Sequence, residues 1–202
     1  MTTSVVDRIS CVIVGSPATG KTSLMRRFFD NSINRAHEPT IGYTKALRHV
    51  YDMHVDMDIT DLSGSALASG LEHYVAAFKN VDVVFIVVDV TAPSTFDDAA
   101  SWQHMCRAVC PAETLFFLVA NKVDAPEKIT QLDRLVMANS YDLIYTETSA
   151  AENDGVSELF KLACRHVLRQ RSDSINEMKA ASASAAAAAS RHRFCDASCV
   201  LS

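Results

Sequence analysis

Residues 9–14, 83–88 and 115–120 form continuous apolar runs rich in β-branched and aromatic side chains, the pattern of strands covered on both faces in a parallel sheet. A fourth stretch alternates instead. Met53, Val55, Met57 and Ile59 interleave with His54, Asp56, Asp58 and Thr60, which predicts a half-exposed strand pairing with residues 43–50 as a hairpin that turns near Asp52. Helical patterns fill the intervals at about 21–30, 67–78, 94–109, 130–139 and 156–169. The last carries Val156, Leu159, Phe160, Ala163 and Val167 at helical spacing behind Asp154, read as its cap. Strands alternating with helices predict an α/β, doubly wound domain, whose ligands sit at the carboxyl ends of the strands.

The pattern stops after Arg171. Residues 172–202 hold an Ala/Ser run from Ala180 to Ser190 and six charged side chains that balance, with too few large apolar groups for a core. The expected organisation is a folded domain over 1–171 followed by a flexible or partly helical tail over 172–202. A chain of 202 residues with 49% hydrophobic and 21% charged residues is long enough for one well-filled domain. Its net charge of −5 leaves no polybasic footprint, so no nucleic-acid partner is expected. No apolar run approaches the length of a membrane span, and the start lacks the pattern of a secretory signal, which predicts a cytosolic protein. The six cysteines, Cys11, Cys106, Cys110, Cys164, Cys195 and Cys199, are too sparse for a disulfide framework. Cys106 and Cys110, four apart on a helix, could bind a metal if two more ligands approached; the plainer reading is two small apolar residues under a helix.

The chemistry is carried by short motifs. Gly15, Ser16, Pro17, Ala18, Thr19, Gly20, Lys21 and Thr22 fit G-x-x-x-x-G-K-[ST] between a buried strand and a helix. Such a loop curls backbone N–H groups around a polyphosphate, and the helix N-terminus adds partial positive charge. Lys21 would reach the β- and γ-phosphates, and the Thr22 hydroxyl would ligate Mg²⁺. Asn121, Lys122, Val123 and Asp124 follow the third apolar run. There Asp124 could accept from guanine N1–H and the 2-amino group, a paired donor edge that adenine lacks, while the stem of Lys122 covers the base.

With these motifs the chain resembles the Ras superfamily of small GTPases, its Rab and Ras branches in particular, over residues 8–171. Three further motifs carry the resemblance in order: Thr40 within Glu38-Pro39-Thr40-Ile41-Gly42, then Asp61-Leu62-Ser63-Gly64, then Glu147-Thr148-Ser149-Ala150. It implies a P-loop GTPase fold, a six-stranded, mostly parallel sheet with one antiparallel hairpin strand and helices on both faces. It also implies GTP or GDP as ligand and Mg²⁺ as cofactor, held by Thr22, Thr40 and, through a water, Asp61. Ser23 joins the phosphate contacts, the N–H groups of Thr40 and Gly64 would bond the γ-phosphate, and Ser149 and Ala150 would contact guanine. Lys21, Thr40, Gly64 and an impaired Ser65 would form the catalytic set. Exchange factor, activating protein and effectors would meet the switch segments 33–45 and 61–75 of a monomer.

The departures concern hydrolysis and partners. Ser65, followed by Ala66, stands where the family keeps the water-orienting glutamine, and Pro17 stands where Ras proteins keep a glycine beside the γ-phosphate. Both predict slow turnover. Ile33 replaces the aromatic that lies across guanine, and Lys45 replaces an aromatic usual in Rab proteins, which would exclude the usual Rab effectors and regulators. The ending Cys199-Val200-Leu201-Ser202 has the C-a-a-X form of a farnesylation site, implying a prenyltransferase. One prenyl chain holds weakly, so Cys195 is expected to add a palmitoyl group beside the meagre basic patch Arg191-His192-Arg193. The expected location is the cytoplasmic face of a membrane, with a cytosolic pool. The first reading is thus a membrane-anchored GTP switch in trafficking or signalling. The second is a pseudo-GTPase scaffold holding nucleotide constitutively or not at all. An ATP-dependent kinase is opposed by Asn121 to Asp124.

Overall fold

The computed structural model describes residues 6–32, 40–66 and 71–196 of the chain. In order, its elements are β1 (Asp7–Val14), α1 (Lys21–Asp30), β2 (Tyr43–Val50), β3 (Val55–Leu62), α2 (Val75–Phe78), β4 (Val83–Asp89), α3 (Pro93–Val109), β5 (Leu115–Asn121), α4 (Gln131–Ser140), β6 (Ile144–Thr148) and α5 (Val156–Asp196). The chain divides into two compact units, Met1–Cys164 and Arg165–Ser202.

In the first unit six strands form one sheet in the order β2-β3-β1-β4-β5-β6. Every neighbouring pair is parallel except β2 with β3. That pair is the hairpin expected from the alternating pattern, joined by a 3₁₀ turn at Tyr51–Met53 with His54 left-handed after it. The chain leaves β1 toward β2 and β3 on one side and returns to β4 on the other. The carboxyl end of β1 is therefore a topological switch point, where a crevice opens in such sheets.

The two sheet faces are filled by alternate residues of the same strands. On one, Phe28 of α1 stacks on Phe160 of α5 with centroids 4.0 Å apart, and Phe160 meets Phe85 of β4 edge-on at 5.3 Å. On the other, Val12, Val84, Ile86 and Leu118 join Phe78, Ala99, Trp102, Cys106 and Ala138 in one buried cluster. Burying each large side chain of this kind contributes about 1.5–3 kcal/mol. Cys106 is a member of that cluster, and Cys110 lies just beyond the helix, its N–H donating to the Cys106 carbonyl. Burial pushes both thiols up, Cys110 to about 12. The cysteine pair is thus core and helix end.

Several boundaries differ from the periodic pattern, each for a local reason. The helix expected over 67–78 is a 3₁₀ turn at Leu71–Tyr74 followed by α2, with 67–70 outside the described residues. Pro93 opens α3, since proline's fixed φ suits a first helical turn. Thr130 caps α4 by accepting from the Asp133 N–H. Asp154 does not cap α5. Its backbone pairs with Ser149 in a two-way bridge, and the Gly155 carbonyl accepts the first helical bond, from Leu159. β6 carries no continuous or alternating apolar run, and its five residues are held in place by pairing with β5. In the second unit, α5 continues as helix to Asp196, so the Ala-rich segment is helical where the composition suggested a flexible or partly helical tail. Alanine's high helix propensity accounts for this.

Candidate functional site

The loop from Gly15 to Gly20 leaves β1 and turns into α1 across backbone conformations that need glycine. Gly15 has φ +139° and Gly20 φ +95°; a Cβ on the first would overlap the Val87 carbonyl of β4, and one on the second the side-chain amide of Asn121. Within the loop the Thr19 hydroxyl donates to the Ser16 carbonyl at 3.0 Å, and the Ser16 hydroxyl donates to Asp98 of α3 at 2.6 Å. Lys21 is buried, its Nζ donating to the carbonyls of Gly15 and Ser16, both at 2.8 Å. Burial lowers this ammonium to about 8, against the opposing pull of Asp61. Ser23 is half-buried in the first turn of α1.

Three oxygen-bearing side chains converge beside the loop. The Thr22 hydroxyl donates to Asp61 Oδ2 at 2.5 Å and lies 2.9 Å from the Thr40 hydroxyl, which itself stands 3.4 Å from Asp61. Asp61 is fully buried, and its other oxygen, Oδ1, has no hydrogen-bond partner among the described residues. Burial raises its pKa, while Thr22, Lys21 and Thr40 pull it down. An orphaned carboxylate oxygen beside two hydroxyls is a donor set of the hard-oxygen kind that suits Mg²⁺. Thr22, Thr40 and Asp61 therefore fit the cation that the sequence implied.

Gly64 packs directly on the phosphate loop, since a Cβ there would come within 2.5 Å of the backbone of Pro17. The next residue turns away. Ser65 is exposed, and its hydroxyl lies 2.9 Å from that of Ser63 within a turn closed by the Ala66 N–H on the Ser63 carbonyl. The interval that includes Ile33, Glu38 and Pro39 lies outside the described residues, as do Cys199, Val200, Leu201 and Ser202. Cys195 falls within α5. Lys45 is exposed on β2, with its ammonium 5.9 Å from the Tyr43 ring centroid.

At the ends of β5 and β6 the base-reading candidates meet one another and the phosphate loop. Asn121 Nδ2 donates to the Thr19 carbonyl at 2.8 Å, while Oδ1 accepts from the Thr148 hydroxyl at 3.1 Å and the Ala150 N–H at 3.2 Å. The Ser149 hydroxyl donates to Asp124 Oδ1 at 2.6 Å. Lys122 takes a left-handed backbone, φ +67°, and its Nζ bonds the Ala18 carbonyl and the carboxylate of Asp89. Burial alone would raise the Asp89 carboxyl, yet the bonds from Lys122 and Thr91 hold it below its ordinary value.

The structure adds residues that the motifs did not include. Asp89 ends the apolar run of β4 directly opposite Asn121 in the register, so the polar residue closing a buried run was its available signal. Arg27 of α1 donates to the carbonyls of Ala150 and Ala151 at 2.8 and 2.7 Å. Neither it nor Asp98 had a signal in the sequence, because each acts on a loop far along the chain.

A profile of the Ras family matches residues 10–169. The chain belongs to the Ras family. It is 26% identical over 170 residues to Ras-related protein Rab-4 of Dictyostelium discoideum, an alignment covering 82% of each protein. It is 30% identical over 153 residues to Ras-related protein RABA6a of Arabidopsis thaliana, covering 74% of this chain and 65% of that relative. This Ras-family chain is accordingly a small GTPase of the trafficking or signalling kind. No helix among its described residues is long and apolar enough to cross a membrane.

The charge pairs of this layer set an acid limit on stability. Asp89 and Glu147 both have carboxyls lowered by hydrogen bonding despite burial, so between the folded and unfolded pKa the unfolded chain binds more protons. Their contribution is complete above the unfolded carboxylate pKa, about 4, and is lost as pH falls through the lower folded values. Urea unfolding between pH 7 and pH 2 should show stability falling below about pH 4, and Lys122→Met should be less stable at pH 7 with a shallower acid fall. Parallel curves for the two proteins would contradict the assignment.

Proposed function

We propose that the chain is a GTP/GDP switch whose phosphate and base contacts are competent and whose hydrolysis is slow. The observation that carries this reading is the side chain of Asn121, which ties the phosphate loop at Thr19 to the Thr148–Ala150 loop. Residues suited to phosphate, cation and guanine thereby share one layer. Gly15 to Thr22, with Ser23, cradle the phosphates, and Lys21, released from the Gly15 and Ser16 carbonyls, neutralises the β- and γ-phosphate oxygens. Thr22 and Thr40, with Asp61 acting through a water, would hold Mg²⁺, which supplies charge neutralisation at those oxygens. Thr40 and Gly64 offer backbone N–H groups to the third phosphate, the two latches that order the switch loops in the triphosphate state. Asp124, steadied by Ser149, accepts from the guanine edge beside the Ala150 N–H and under the Lys122 stem.

Hydrolysis is the weak step. A glutamine amide that orients the attacking water is absent at Ser65, whose short hydroxyl is engaged with Ser63, and the Pro17 ring crowds the same corner. The same contact favours the second reading, a pseudo-GTPase scaffold that binds nucleotide without turning it over. Prenylation of Cys199 and palmitoylation of Cys195 complete the proposal, placing a monomeric switch on cytosol-facing membranes with a cytosolic pool. Exchange factor, activating protein and effectors would engage 33–45 and 61–75, and Lys45 directs that surface away from the partners of Rab proteins with an aromatic there.

Direct binding measurements should give GTP and GDP a preference over ATP and ADP of at least about a hundredfold, because adenine leaves the Asp124 carboxylate facing no donor. Asp124→Asn should lose that preference and gain affinity for xanthine nucleotides; equal GTP and ATP affinities in the unaltered protein would refute the reading. Single-turnover hydrolysis should run below the roughly 10⁻⁴ s⁻¹ of an unassisted Ras protein. Ser65→Gln should speed it. Faster turnover by the unaltered protein would show that another group orients the water.

A further inference from the structure

Arg134, in the first turns of α4, is 1% exposed, although arginine is rarely buried unless paired. Its guanidinium makes four hydrogen bonds and an additional ion-pair contact. Nε donates to the Tyr145 hydroxyl at 2.8 Å and Nη1 to the Ile129 carbonyl at 2.8 Å, with Glu127 Oε2 an ion-pair partner 3.1 Å from Nη1. Nη2 donates to Glu127 Oε1 at 3.2 Å and Glu147 Oε1 at 3.1 Å. The Tyr145 hydroxyl and Gln131 both donate to the same oxygen of Glu147. A buried ion network of this kind is no better for stability than packed apolar side chains of similar volume. What a guanidinium bonded through all three of its nitrogens supplies is fixed geometry, since its planar fork sets the distances among the groups it holds.

Those groups adjoin the two segments proposed to read the base. Glu127 and Ile129 lie in the segment that follows Asn121 to Asp124, and Glu147 lies at the end of β6, two residues before Ser149. Asp124 bonds Ser149 at one end of this pair of loops, and Arg134 joins Glu127 to Glu147 at the other. We propose that Arg134 is a positioning residue for guanine recognition, fixing the spacing of the two loops so that the Asp124 carboxylate faces the N1–H and 2-amino group of the base. The inference rests on the guanine reading above and goes further, in assigning the precision of that recognition to a helix outside every nucleotide motif.

The test compares GDP with inosine diphosphate, which lacks the 2-amino group, on the full chain, with inorganic tripolyphosphate reporting the phosphate loop alone. The unaltered protein should favour GDP, and Arg134→Met should cut the GDP-to-IDP ratio about tenfold while tripolyphosphate affinity stays within about twofold. Arg134→Lys, which keeps the charge but loses the fork, should recover only part of the ratio. A ratio within twofold of the unaltered value in Arg134→Met, even with a lowered Tm, would make the cluster merely structural and overturn the proposal. If Arg134→Met does not fold, Tyr145→Phe and Glu127→Gln decide, with a two- to threefold drop expected and an unchanged ratio contradicting it. Failure of the unaltered protein to prefer GDP over ADP would instead overturn the guanine reading beneath it.

Discussion

The side chain of Asn121 is the constraint on which the site depends. It closes β5 with an amide that is 1% exposed, and a buried amide must satisfy both its donor and its acceptor or cost about 1–3 kcal/mol. Here the donor holds the phosphate loop at Thr19, while the acceptor holds Thr148, the last residue of β6, and Ala150 beyond it. Gly20 must lack a side chain because that same amide occupies the space a Cβ would need. Three loops, the first 102 residues of chain from Asn121 and the last within 29, are thereby locked to one another at the carboxyl ends of β1, β5 and β6. The packing of the sheet is transmitted to the site through that amide.

The binding layer and the hydrolytic corner differ in how they are held. Lys21, Asp61, Asn121 and Ser149 are all buried, and their hydrogen bonds run to the 15–20 loop, to Thr22 of α1 and to Asp124. Ser65 is exposed, in a turn supported by its neighbours Ser63 and Ala66. On the proposed reading, recognition would depend on these buried contacts, whereas turnover would depend on an exposed turn.

Much of this was legible along the chain. The three continuous apolar runs are β1, β4 and β5, and the alternating run is β3, because burial on two faces or on one leaves a direct imprint on side-chain type. The 15–22 loop, Asp61, and Asn121 to Asp124 stood out as candidates because they present fixed residue types at fixed spacing at the carboxyl ends of strands. β6 was not, since pairing with β5 alone makes it a strand. Gly155 displaced Asp154 as the start of α5 because the Asp154 backbone is committed to Ser149. Asp98, Arg27 and Arg134 were invisible for a common reason: each is an ordinary polar residue on a helix until folding brings a distant loop against it. The Ala-rich segment left two readings open, flexible or partly helical, and alanine's backbone preference accounts for the helix found there.

The most direct measurement is the identity of the nucleotide that stays with the protein through purification in Mg²⁺, read by chromatography after denaturation. GDP or GTP at close to one per chain, released when EDTA removes the Mg²⁺, is the result expected from the joined phosphate, cation and guanine contacts. An adenine nucleotide, no nucleotide, or a guanine nucleotide whose retention is indifferent to EDTA would contradict it.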